Sequence, residues 1–487
     1  MRRIKQRTCL ALLIFSAQAI AGCAVNPVTG ESDFVLISEA QEISLGQRNH
    51  RQIVAQYGEY DNADLSKLIR NVGERLARVS HRPYLDYRFT LLDSPEVNAF
   101  ALPGGYVYIT RGLLAYLNSE AELAAVLGHE IGHVTARHAV RQHSATTVTG
   151  LFTAILGARA GVGGRELLNV AGTALVRGYG REHELEADRL GAHYLSRAGY
   201  DPKAILRVIR VLKHQEQHEI ELARREGRAP RVYHGLFSTH PDNDKRLQEV
   251  INAAERLPTA GAHRGQDVAF IRRLNGLVFG DSEQQGIVRG SRFYHGPLGI
   301  VLDFPKGWRA VNSAQRLLLV SPARDAFIVL EQVTEGGDRP LRTLLRERFP
   351  GRPLRSEIVI REPGRQGHGA TLALNTPFGT RDARVLLMRI GGETFLLVAA
   401  ADPLPWPAKY ALEIPRSLSS LRPIKEDERR WARAWRIEVR RVLPGQDLAT
   451  LAQSAAQLPD AQIQLRLLND LYPAGEPQSG QWLKTIR

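Results

Sequence analysis

The sequence predicts an α+β chain. A mostly helical first half with a small edge-strand sheet is followed by a second α+β domain and a small strand–helix–helix–strand module. Three observations carry this. Amphipathic runs at helical spacing dominate residues 38–226. Around Leu257–Gly265 the composition turns to that of a linker, and from Ile287 to Leu421 short apolar runs alternate with Gly, Pro and Asp breaks. The last stretch then frames two helical runs between two strand-like ones. At 487 residues the chain should hold more than one core, so domains are expected at 38–262, 263–425 and 430–487.

The N-terminus reads as an export signal. Arg2, Arg3, Lys5 and Arg7 precede an apolar run, Leu10–Ile20, that is too short for a comfortable membrane span. It ends in Ile20-Ala21-Gly22-Cys23, which resembles a bacterial lipobox. Residues 1–22 are therefore expected to be a lipoprotein signal peptide, with Cys23 lipidated and 23–37 a tether carrying turn signals at Asn26-Pro27 and Thr29-Gly30. Several acyl chains on one residue anchor stably. Ala24 stands where an aspartate retention signal would, which points to the outer membrane of a Gram-negative cell, facing the periplasm. Cys9 leaves with the signal and Cys23 is acylated, so no disulfide is expected.

Ser38–Tyr57 and Asp64–Val79 follow as amphipathic helices, and Tyr87–Leu92 as a strand. Ser119–His143 reads as one helix, opened by a capping box of Ser119 and Glu122. Leu123, Val126, Leu127, Ile131 and Val134 form its apolar stripe. Thr146–Gly164, interrupted by Arg159, reads as a buried or gating segment. Leu167–Val176 and the charged Pro202–Glu226 read as further helices.

The chemistry lies at His129-Glu130-Ile131-Gly132-His133. Two histidines four apart share one helix face, so both imidazoles can reach a single metal ion. The adjoining glutamate can take a proton from an attacking water. Further along, Glu184 and Asp188 lie one helical turn apart. Glu184 would complete a His, His, Glu set, and Asp188 could accept the outer N–H of a ligand histidine. The competing account has these acids solvating a helix and pairing with Arg181 and Arg189. Glu182 and Glu186 are rivals, but of the three only Glu184 has an aspartate four residues on.

With those residues in hand, residues 38 to 255 resemble the gluzincin peptidases of the HtpX, BepA and CAAX-prenyl-protease family, whose pattern is HExxH followed by ExxxD. Asn98-Ala99-Phe100-Ala101-Leu102-Pro103-Gly104-Gly105 resembles that family's strand entering the site, with Tyr106–Thr110 as the next strand. Glu184–Asp188, followed by Arg189 and Gly191, resembles its third-ligand helix, and Ser238-Thr239-His240-Pro241 with Arg246 its late loop. The resemblance implies a zincin-type metalloprotease domain with one Zn2+ per chain on His129, His133 and Glu184, and Glu130 as general base. It places His240 near the metal, to stabilise an oxyanion or to plug the open position; capping the turn at Pro241 is the alternative. Arg246 either steadies the substrate carbonyl or pairs with Asp242 or Asp244. Asn98, Ala99 and Phe100 would bind an extended peptide by β-augmentation.

The other histidines gain no role. His138 and His143 continue the motif helix but are only partly on its ligand face, and His183 and His193 read as surface or supporting groups. His214, His218 and His234 fall in a charged helix and its exit.

In the second domain, Gly299–Phe304, Arg316–Val320, Ala326–Val333, Val385–Ile390 and Thr394–Ala400 read as strands, and Pro340–Arg348 and Pro407–Leu418 as helices. Trp435–Val442, Pro444–Leu448, Leu467–Asn469 and Gly480–Lys484 resemble a degenerate LysM module, which would imply peptidoglycan contact; a small docking module is the alternative. The formal charge is +14, and without the four signal cations about +10, attracting the chain to anionic lipid or polymer. No nucleic-acid motif accompanies it, and nucleic-acid binding is excluded as a primary role.

The expected function is zinc-dependent endopeptidase action on misfolded or stalled envelope proteins, from a lipid anchor at Cys23. A zinc-stabilised chaperone or assembly scaffold with little proteolysis is the alternative.

Overall fold

The computed structural model describes residues 23–142, 180–227, 230, 267–334, 337–402, 406–455 and 457–487. The chain divides into two compact units. One comprises the segment before Ala55, Glu59–Leu277 and Arg436–Arg487; the other comprises Ala55–Gly58 and Val278–Trp435.

The first unit opens with a hairpin of β1 (Cys23–Val25) and β2 (Ser32–Phe34), Cys23 opposite Phe34. The stretch expected as a tether is therefore partly folded. Asn26 is responsible: its Oδ1 accepts from Val28 N at 2.8 Å and Thr29 N at 3.2 Å, an Asx turn that closes the loop. Two helices follow, α1 (Glu39–Tyr57) and α2 (Ala63–Arg78), whose first turns are capped by Ser38 and Asn62.

Three strands, β3 (Arg88–Leu92), β4 (Ala99–Leu102) and β5 (Tyr106–Thr110), form a sheet in the order β3-β5-β4. The central strand β5 runs parallel to β3 and antiparallel to β4, and all of its residues are buried. Its last residue, Thr110, caps α3 (Arg111–Tyr116), and Ser119 then caps α4 (Glu120–Thr135).

The helix expected over Ser119–His143 is broken. α4 ends at Thr135, Arg137 takes a left-handed φ of 55°, and helical backbone resumes from His138 to Gln142. A non-glycine residue holds that conformation only when its surroundings dictate it. Here Arg137 Nε donates to the buried carboxylate of Glu42 at 2.9 Å.

Helices α5 (Arg181–Arg197) and α6 (Ala204–Arg225) pack against α4. The expected segments Thr146–Gly164 and Leu167–Val176 lie outside the described residues. The unit runs on to Leu277 because Asp267 caps α7 (Val268–Arg273) and also accepts from Glu120 N, at the start of α4, at 3.0 Å. No helix among the described residues is long and apolar enough to cross a membrane.

The second unit opens with β6 (Val278–Phe279) and is mostly antiparallel sheet. A four-stranded sheet contains β7 (Ile287–Arg289), β8 (Arg292–His295), β9 (Ile300–Asp303) and β17 (Arg422–Pro423). A seven-stranded sheet contains β10 (Arg309–Asn312), β11 (Arg316–Val320), β12 (Ala326–Val333), β13 (Arg355–Glu362), β14 (Arg365–Thr376), β15 (Gly379–Ile390) and β16 (Glu393–Ala401). One helix, α8 (Leu341–Arg348), packs with Leu372, Val385 and Leu387; another, α9 (Ala408–Ser420), packs with Leu317, Ile328 and Leu397.

The C-terminal segment has the expected order: β18 (Trp435–Arg441), α10 (Leu448–Ala452), α11 (Ala461–Leu468) and β19 (Trp482–Ile486), with β18 antiparallel to β19. It is built into the first unit and does not stand free. Lys484 of β19 is fully buried, and its Nζ donates to Ala115 O at 2.7 Å and Leu117 O at 2.8 Å, at the C-terminal end of α3. Tyr116 donates to Gln464 at 3.0 Å, and Arg225 of α6 pairs with Asp460 at 2.7 Å.

Candidate metal centre

α4 and α5 cross at very short range, and that crossing makes the site. A Cβ on Gly132 would lie 2.9 Å from Ala187 O, and one on Gly191 would lie 3.0 Å from His129 N. Two backbones this close leave no room for larger residues, so the glycine inside the HExxH motif is a packing requirement.

The crossing brings His129, His133 and Glu184 together, all buried, with one ligand atom from each lying within 4.8 Å of the others. The two Nε2 atoms are 3.0 Å apart. Glu184 Oε2 lies 3.6 Å from His129 Nε2, and Oε1 lies 3.5 Å from His133 Nε2. Donors about 2.0–2.1 Å from a tetrahedral zinc are separated by about 3.3 Å, close to these spacings.

The donor chemistry agrees. Asp188 Oδ1 lies 2.8 Å from His129 Nδ1, so that nitrogen carries the proton and Nε2 presents a lone pair to the carboxylate of Glu184. A bare nitrogen facing a carboxylate in a dry cluster calls for a cation between them. Glu130, 1% exposed, follows His129 on the same helix.

Asn98 is buried immediately before β4. Its backbone is engaged by Thr110, whereas its side-chain Oδ1 has no hydrogen-bond partner among the described residues. Ala99 and Phe100 belong to β4, an edge strand of its sheet among the described residues, and the Phe100 ring stacks on Tyr108 at 4.8 Å. Cys23 begins β1. His240 and Arg246 lie outside the described residues.

Of the rival acids, Glu182 is exposed, and Glu186 turns to His138 Nε2 and Arg141 Nη1, both at 3.0 Å. Burial alone would raise the Glu186 carboxyl, but bonds from His138 and Arg141 outweigh it and hold it down to about 2. His183 stacks on His138 with ring centroids 4.4 Å apart; burial first, then His138, push it down to about 4.

Sequence spacing gave His138 no role, yet it touches a candidate ligand: its Nδ1 lies 2.8 Å from His133 Nδ1. The periodicity argument assumes one continuous helix, and the turn at Arg137 breaks that assumption. No signal in the local sequence announces the break, because its cause, Glu42, is far away in the chain.

Comparison with known proteins agrees with this geometry. Residues 64–254 match the model of peptidase family M48. The beta-barrel assembly-enhancing protease of Escherichia coli is 32% identical over 241 residues, covering 47% of each chain. The Yersinia pestis protein of that name is 29% identical over 266 residues, covering 52% of each. The mitochondrial metalloendopeptidase OMA1 of Schizosaccharomyces pombe is 27% identical over 243 residues, covering 49% of this chain and 67% of that one. This chain is thus matched to the bacterial relatives over about half of their length. The stretch that matches the peptidase family M48 model is the one within which the two histidines and Glu184 converge.

Proposed function

We propose that this chain is a zinc-dependent endopeptidase that hydrolyses peptide bonds of misfolded or stalled envelope proteins. The observation that carries the reading is the convergence of His129, His133 and Glu184 with Glu130 beside them. Bound zinc would supply a Lewis acid for the scissile carbonyl and an acidified water. Glu130 takes a proton from the attacking water and returns it to the leaving amine. Asp188 holds the His129 ring with Nε2 turned inward.

Substrate enters as an added strand. The outer edge of β4 offers main-chain groups to an extended peptide, which favours unfolded segments over any one sequence. Asn98 Oδ1 is assigned to orient that backbone. The oxyanion contact falls to His240 or Arg246, on the family resemblance.

The names of the relatives support envelope proteins as substrates, and the lipobox-like Ile20–Cys23 supports lipid anchorage through Cys23, at the periplasmic face of the outer membrane. The chaperone alternative is less favoured, because a purely structural metal site has no use for a buried glutamate beside its ligands.

The test compares wild type with Glu130→Gln for metal content and for cleavage of an unfolded outer-membrane protein. One zinc per chain in both, with cleavage at least about 100-fold slower in the variant, is expected. Equal cleavage by both would remove Glu130 from the mechanism. Equal zinc with no cleavage in either would favour the scaffold.

A further inference from the structure

The two candidate imidazole ligands are supported differently. His129 Nδ1 meets a carboxylate directly, Asp188 at 2.8 Å. His133 Nδ1 meets another imidazole, His138, at 2.8 Å, and the carboxylate stands behind it: His138 Nε2 lies 3.0 Å from Glu186 Oε2.

Hydrogen-bond polarity runs one way along this chain of groups. Arg141 donates to the same Glu186 oxygen at 3.0 Å. An arginine keeps its charge, and the carboxylate paired with it only accepts. His138 therefore donates from Nε2, and as a neutral, fully buried ring its Nδ1 is bare. A bare Nδ1 at 2.8 Å requires the proton on His133 Nδ1, which leaves the lone pair of His133 Nε2 facing His129 and Glu184.

We infer that His138 and Glu186 are positioning residues, an imidazole–carboxylate relay that fixes the tautomer and ring plane of His133 for metal binding. The inference rests on the zinc-site reading above and adds residues to it.

The backbone argues for the same conclusion independently. Five positions along a regular helix would carry His138 roughly 140° around the axis from His133. The left-handed Arg137, anchored to Glu42 at 2.9 Å, folds the chain back so that the two rings meet. Backbone strain is thus held at the one place where it delivers His138 to a ligand. The His183 ring covers the relay's other face.

The test uses the full chain with His138→Phe, His138→Gln and Glu186→Gln, and Tyr194→Phe as a packing control. Tyr194 bonds Thr135, at the same helix end, at 2.9 Å and His81 at 2.7 Å. Zinc affinity is read by chelator competition, and the His133 tautomer by imidazole nitrogen NMR on metal-free protein. His138→Phe should weaken zinc about 10–100-fold and populate the Nε2–H form of His133. His138→Gln should stay within a few-fold of wild type, because its carbonyl can accept from His133 and its amide can donate to Glu186. Glu186→Gln should fall between the two. Tyr194→Phe should lower the melting temperature and leave affinity and tautomer alone.

Wild-type affinity and tautomer in His138→Phe would overturn the relay, as would equal shifts in Tyr194→Phe. Wild-type protein that binds no zinc would sink the metalloprotease reading instead; the metal-free tautomer would still judge the relay.

Discussion

The two ends of α4 are pinned by buried cations of different kinds. At the C-terminal end, Arg82 is fully buried and donates to Val134 O at 3.1 Å and Glu42 at 2.8 Å, while Arg137 binds the other Glu42 oxygen. At the N-terminal end, Glu122 accepts from Asn118 N at 2.7 Å, Arg207 lies 3.3 Å away, and the neighbouring cation is Lys484 of the terminal strand. Lys484 has backbone carbonyls as partners, and burial pushes its ammonium down to about 7. The end that carries His133 is therefore held by charges that do not titrate. The other end is held by one that does.

Arg82→Met tests this contrast most severely. It leaves the buried Glu42 with Arg137 alone and removes the side-chain donor to Val134 O, which keeps the backbone N–H of Arg137 at 3.2 Å. Breaking one partner of a buried ion cluster costs about 3–5 kcal/mol. Because the loosened turn carries His133, zinc should bind more weakly as well. Thermal melts and chelator competition on one preparation check both, and a large drop in melting temperature with unchanged zinc affinity would make the two ends equivalent.

Lys484→Met is the matching test at the other end. Methionine fills a similar volume but leaves the carbonyls of Ala115 and Leu117 without that donor, at a cost of about 1–3 kcal/mol. Relief from burying an amine offsets part of this, so the loss should be smaller than for Arg82→Met. Zinc affinity should not change. A variant that loses zinc would mean that the C-terminal segment reaches the metal site through α4.

These contrasts also show what the sequence could reveal. α4, its cap at Ser119 and its apolar stripe were legible because each signal is local, and Glu184 with Asp188 followed from helical spacing. Arg82, Glu42 and Lys484 were not legible. A buried charge looks like a solvated one until its partner arrives, and the Lys484 bonds span 369 and 367 positions. β13 (RSEIVIRE) and β14 (RQGHGATLALNT) escaped for a related reason. Their Arg, Glu, Gly and Thr residues hide the apolar runs that marked β11 and β12. His138 failed differently: the period was right for a helix that stops three residues earlier, at Thr135.

The smallest effect concerns pH. In the unfolded chain Lys484 titrates near its ordinary value of 10.5, and in the folded chain burial brings it to about 7. Between those values the unfolded state binds more protons, so this group makes stability rise with pH from about 7 to 10.5 and adds no slope outside that window. Glu122 has the opposite sign: burial raises its carboxyl above 4.5, so its contribution declines as pH climbs from 4.5 through the raised value. The two groups therefore act with opposite signs. Asp470 and Arg207 also act on this pair. The informative quantity is the difference in melting temperature between wild type and Lys484→Met at pH 7, 8, 9 and 10, in which titrations common to both proteins cancel. Wild type should gain on the variant as pH rises. A constant difference would mean that Lys484 stays charged in its buried place, and that both ends of α4 are held by permanent cations.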